Sequence, residues 1–158
     1  MDTDLIWKES NEPEASRRTI YGHVKRSMIV PMFEVLDFCD TTRSAAQRNV
    51  TSVPTQALTL FNGHFVNRQA AHLAERLVHE AGGIAEHQID LAFRLALCRP
   101  PAADETRTMH AFLDQQTKIA LKESAGLGRT ITAEAAHQKA LVQMCRVIFN
   151  MNEFAYPE

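Results

Sequence analysis

His64-Phe65-Val66-Asn67-Arg68-Gln69-Ala70-Ala71-His72-Leu73-Ala74-Glu75-Arg76-Leu77-Val78-His79-Glu80 is the stretch that decides the fold. Phe65, Val66, Gln69, Ala70, Leu73, Ala74 and Leu77 recur at spacings of three and four, which gathers them on one stripe of a 3.6-residue helix and leaves the charged side chains on the other faces. Ala81-Gly82-Gly83 follows, and glycine just past the last turn is a common helix stop. A helix over 64–80 with one stripe to bury needs further helices to cover it.

Working downstream, a helix over 85–98 buries Ile89, Ala92, Phe93, Ala96 and Leu97 and ends at Arg99-Pro100-Pro101, where proline cannot continue the hydrogen-bond ladder. The next helix starts near Ala102, with Asp104 and Glu105 at the positive end of its dipole. It runs through Met109, Phe112 and Leu113 to about Glu123, before the turn Ala125-Gly126-Leu127-Gly128. Thr132 caps the last helix, with Glu134 in its first turn and Ala140, Leu141, Met144, Val147 and Ile148 as its apolar stripe. Upstream, Pro54 opens a helix capped by Ser52 or Val53, with Ala57, Leu58, Leu60 and Phe61 as its apolar face. Asn62-Gly63 breaks or kinks it. Asp40 to Ser52 is a polar loop, and Pro31 to Phe38 fits either a short helix or an extended buried segment. Ser16 caps a helix over 17–27 in which Ile20, Tyr21 and Val24 recur at helical spacing while Arg17, Arg18, Lys25 and Arg26 ring the other positions, and residues 1–15 form a polar lead-in containing Trp7. The expectation is an all-α irregular bundle of about six helices, one domain over 16–158, with a long polar loop near 40–52.

Composition agrees with that class. A chain of 158 residues is the size of one domain, and only 6 Gly and 6 Pro argue against a turn-dense β-sandwich. Lys plus Arg total 17 against 19 Asp plus Glu, so bulk attraction to nucleic acid or to an anionic membrane is excluded. No apolar run approaches the ~20 residues that span a bilayer. Met1-Asp2-Thr3-Asp4 is acidic and lacks the apolar core of a signal peptide. Cys39, Cys98 and Cys145 are an odd number at wide spacing, and each is expected to be a small buried apolar residue.

The chain offers little to a search for chemistry. His64, His72, His79, His87, His110 and His137 include no HExxH and no pair four apart. His72 and His79 lie near one helical face without a third ligand, so no metal and no cofactor is expected. Ser27, Ser44, Ser52 and Ser124 sit in no nucleophile elbow. The glycines form no phosphate loop. Arg17, Arg18, Lys25 and Arg26 with Tyr21 between them are read as solvated or ion-paired charges, with Glu34 and Asp37 as partners. Arg48 and Asn49 either hold the polar loop against helix ends or line a binding surface. Arg18, Asp37, Arg48 and Asn49 are the one polar set that carries a candidate binding role.

Read in order, Arg17-Arg18-Thr19-Ile20-Tyr21, Val24-Lys25-Arg26-Ser27, Pro31-Met32-Phe33-Glu34, Asp37-Phe38 and Arg48-Asn49-Val50-Thr51-Ser52-Val53-Pro54-Thr55-Gln56-Ala57-Leu58-Thr59-Leu60-Phe61-Asn62 resemble planctomycete-specific domain one. So do Ala92 to Leu97 with Arg99-Pro100-Pro101, and Leu141, Cys145 and Phe149 to Phe154. The resemblance covers about residues 16 to 156. It implies a domain of unknown function at the C-terminal end of a longer exported, periplasmic bacterial protein, downstream of a cytochrome c-like domain. Its implied partners are other protein domains, and its implied role is structural or docking, the alternative being part of a redox or polymer-degrading active site completed by upstream domains. The family supplies no catalytic residue. Cys39 stands where the family often has proline and Ala45 where it often has cysteine, which weakens any role for a loop thiol.

Overall fold

The computed structural model describes residues 17, 19–22, 29, 31–40, 42–44, 46–47 and 54–155. It divides into two compact units, Met1–Thr51 and Ser52–Glu158. The described residues hold seven α-helices and one 3-10 turn, and no strand.

In the first unit, Thr19–Tyr21 is a single 3-10 turn and Gly22 a bend. This corrects the helix expected over 17–27 where the chain is described: Thr19–Tyr21 makes one 3-10 turn, Gly22 bends, and Ile20 and Tyr21 are 81% and 74% exposed. Ser16, proposed as its cap, lies outside the described residues. Pro31–Val35 is the short helix α1, which decides between the two readings of 31–38. Its end is built by Asp37 and Phe38. The Phe38 amide donates to Phe33 O at 2.8 Å and the Asp37 amide to Glu34 O at 3.2 Å, the paired bonds of a Schellman stop. Asp37 takes the left-handed position at φ 59, and the Phe33 and Phe38 rings meet with centroids 5.6 Å apart, the apolar contact that accompanies such a stop. The described part of the polar loop is non-helical. Asp40 Oδ1 there accepts from the Thr42 hydroxyl at 2.6 Å and its amide at 2.9 Å, which holds the carboxyl below the usual range.

The second unit is a helical bundle. Pro54–Asn62 is α2, His64–Ala81 α3, Ala85–Leu97 α4, Ala103–Gly126 α5, Ala133–Phe149 α6 and Asn152–Ala155 α7. The proposed caps of α2, Ser52 and Val53, lie outside the described residues. Gly63 breaks the chain between α2 and α3, because its extended ψ of 135° leaves the helical region. Gly82 closes α3 at φ 69, its amide bonding Val78 O. Thr132 Oγ1 caps α6 by accepting from the Ala135 amide at 3.2 Å. α5 runs past Glu123 to Gly126, and Gly128 at φ 68 forms the stop that ends it. The Arg129 amide bonds Ser124 O and the Gly128 amide bonds Ala125 O.

α3, α4, α5 and α6 pack around one core. Ala70, Ala74 and Leu77 bury the α3 stripe, and Ile89, Ala92 and Phe93 come from α4. Met109 and Leu113 come from α5, and Ala140, Leu141, Met144, Cys145 and Ile148 from α6. The alanines let backbones approach closely, and Phe93 and Met144 fill the space between them. Gln88 is buried among apolar residues yet satisfied: its amide nitrogen donates to Gly82 O, and its oxygen accepts from His137 Nε2 at 2.8 Å. One side chain thus joins the end of α3 to the start of α6, as a buried amide must.

Candidate functional site

Of the four residues singled out in the sequence, Asp37 alone is described; Arg18, Arg48 and Asn49 lie outside the described residues. The backbone of Asp37 is the stop of α1, so its left-handed conformation has a local structural cause. Lys25 and Arg26, two of the cations proposed to pair with it, also lie outside.

The cysteines divide against expectation. Cys145 is buried in the core and its thiol is pushed up to about 12 by burial, which leaves it protonated and unreactive. Cys39 and Cys98 are exposed, a correction to the burial expected of them. Cys98 is driven outward because it follows the last turn of α4 at φ 57. Among the described residues no group of three or more His, Cys, Asp or Glu side chains could hold a metal ion, and no helix is long and apolar enough to cross a membrane.

Three features of the second unit stand out. At the α2–α3 junction, Leu58 and Phe61 lie three apart on α2, and Phe65 sits in the first turn of α3. Leu58 is 59% exposed, and Phe61 and Phe65 are exposed as well. The Arg146 guanidinium lies 4.6 Å over the Phe61 ring and donates to Phe61 O at 3.0 Å, so a cation also satisfies a carbonyl at the end of α2. The Arg68 guanidinium lies 6.0 Å from the Phe65 centroid. These are amphipathic surfaces with apolar faces and positive rims.

The second feature is a clamp at the turn between α4 and α5. Arg99 makes a two-pronged pair with Glu105, at 2.7 and 2.8 Å, and a second with Glu153 on α7, both bonds at 2.7 Å. Its guanidinium lies 5.5 Å from the Phe93 centroid. Glu105 also accepts from the Ala102 amide at 2.7 Å, which caps α5. Arg99, and then the Ala102 amide, hold Glu105 down to about 2, and Arg99 holds Glu153 below the usual carboxylate range. The two carboxylates in turn raise Arg99, Glu105 most. All donors of this cluster are spent on internal partners, so it reads as a fastening and not as a catalytic pair.

The third is a groove of about 430 Å³ between α5 and α6. Its floor is Ala120 and Ala140, its apolar wall Ile119 and Val142, and its charges Glu123 from α5 and Lys139 from α6. Sequence reasoning missed it. The available signal was Gln116, Ile119, Ala120 and Glu123 at the i, i+3, i+4, i+7 spacing of a second half-apolar stripe.

A family model matches residues 3–113. The match begins in the stretch expected as a lead-in and stops within α5, short of Leu141, Cys145 and Phe149 to Phe154. Among curated proteins and among solved structures nothing matches the chain. Because the matched span is well over half of the sequence, the chain belongs to the family described as PSD1: Protein of unknown function (DUF1553).

Proposed function

We propose that this chain is a non-catalytic docking module, a helical unit that holds other protein domains of the same or a neighbouring polypeptide. The observation that supports the reading is the α2–α3 junction, where Leu58, Phe61 and Phe65 are left exposed beside Arg68 and Arg146. Burying three such side chains favours association, and large apolar anchors beside arginine are the composition of interface hot spots. Its setting, a larger exported bacterial protein with a cytochrome c-like domain, rests on the family resemblance. In this reading the redox group belongs to that domain and the chain brings no cofactor of its own, binds no nucleic acid and has no membrane span.

The test is calorimetric titration of the chain with a cytochrome c-like domain of the kind that the resemblance implies upstream of it. Binding is expected, weakened at least ~10-fold by Leu58→Asp or Phe65→Asp, since a truncated anchor at the centre of an interface commonly costs that much. Equal binding by wild type and both variants, with helical content unchanged, overturns the docking face.

A further inference from the structure

We propose that the groove between α5 and α6 is a self-association face, and that its occupant is the same groove of a second copy of this chain. The argument is charge complementarity across a two-fold axis. Glu123 stands on the α5 wall and Lys139 on the α6 wall, both are exposed, and among the described residues neither has an ion-pair partner. In a two-fold interface, residue i of one copy meets j of the other and j meets i. An axis running along the groove lays α5 over the α6 of the second copy. Glu123 then faces Lys139 twice, and a groove that carries one free charge of each sign becomes its own complement.

The packing suits the same arrangement. Ala120 and Ala140 keep the floor low enough for a second pair of helices to approach closely. Ile119, 38% exposed, and the half-buried Val142 supply apolar surface at the centre with the charges outside it, as interfaces are commonly layered. Two such helix pairs joined face to face form a four-helix arrangement, a stable way to cover helical stripes. Eight residues line the groove, against the roughly 20–30 a side of a standard interface, so weak association, in the micromolar range, is expected.

The experiment is sedimentation velocity of the full chain across concentration, with Glu123→Lys, Lys139→Glu and their mixture. Wild type should show a reversible monomer–dimer equilibrium that weakens as salt is raised. Each single reversal places like charges opposite each other at both contacts and should weaken the dimer at least ~10-fold. Mixing the two variants pairs lysine with glutamate at both contacts and should restore a dimer containing one of each. Circular dichroism of each variant separates lost association from lost folding, and Leu58→Asp should leave the dimer intact because it lies on α2. A wild-type chain that stays monomeric throughout overturns the proposal and leaves the groove to a different partner. A dimer indifferent to both reversals, or a mixture that fails to associate, overturns it as well.

Discussion

Gly63 shows how one residue sets the geometry of the α2–α3 junction. Its amide still bonds Thr59 O at 2.8 Å, as the next helical residue would, but its ψ of 135° turns the chain out of the helix. A Cβ built there lies 2.5 Å from Thr59 O, a backbone atom that cannot swing aside. Gly63→Ala is therefore expected to destabilise the second unit by ~1–3 kcal/mol, the usual range for forcing atoms into a filled space. It should also change the angle at which Phe61 and Phe65 are presented. Chemical denaturation measures the first effect; unchanged stability would show that the junction relaxes at no cost. Asp37 and Cys98 illustrate the same scale: both hold positive φ at the end of a helix, where a short polar or small side chain is tolerated better than a β-branched one.

The elements are fastened by the Arg99 cluster, which joins the end of α4, the first turn of α5 and α7. Its pH dependence follows from the sign of the shifts. Glu105 sits near 2 when folded, below its ordinary value, so its contribution is present above about pH 4.5 and is lost as pH falls toward 2. Glu153, shifted the same way, adds to the loss in the same window. Glu105→Gln should remove most of this acid dependence and lower stability at pH 7 by about 1 kcal/mol, the scale of a partly exposed pair. Urea unfolding at pH 7 and pH 3 checks both; equal losses between those pH values in wild type and variant would refute the assignment. Helices α2 to α6 are legible in the sequence because their starts and stops are local, whereas α1 fits an extended segment equally well and α7 reads as a tail. Pro54, Thr132, Glu105, Gly63 and Gly82 act on the backbone within four residues of themselves. Arg99 and Glu153 meet across 54 positions, and Glu123 and Lys139 share a groove only through the rotation of α5 against α6, which no local pattern encodes. At the described residues 19–22 the chain makes a 3-10 turn and a bend in place of the helix expected over 17–27, because helical spacing in the sequence does not by itself hold a helix.

At the scale of the molecule, the distribution of buried residues decides what can fold alone. Among the described residues every buried hydrophobic side chain lies between Ala70 and Ile148, on α3 to α6, and so within Ser52–Glu158. That unit exceeds the roughly 40–60 residues below which a chain struggles to bury enough surface. A fragment of residues 52–158 should therefore unfold in one cooperative thermal transition, with the α2–α7 helical signal retained. Phe93, fully buried on α4, gives the sharper test. Replacing it with alanine removes a whole ring from the centre of the core and should cost ~3–5 kcal/mol in the fragment and in the full chain alike. A fragment that melts without cooperativity would show that residues 1–51 complete the core. A Phe93→Ala loss much larger in one molecule than in the other would show that the two units share their stability, because effects at independent sites add.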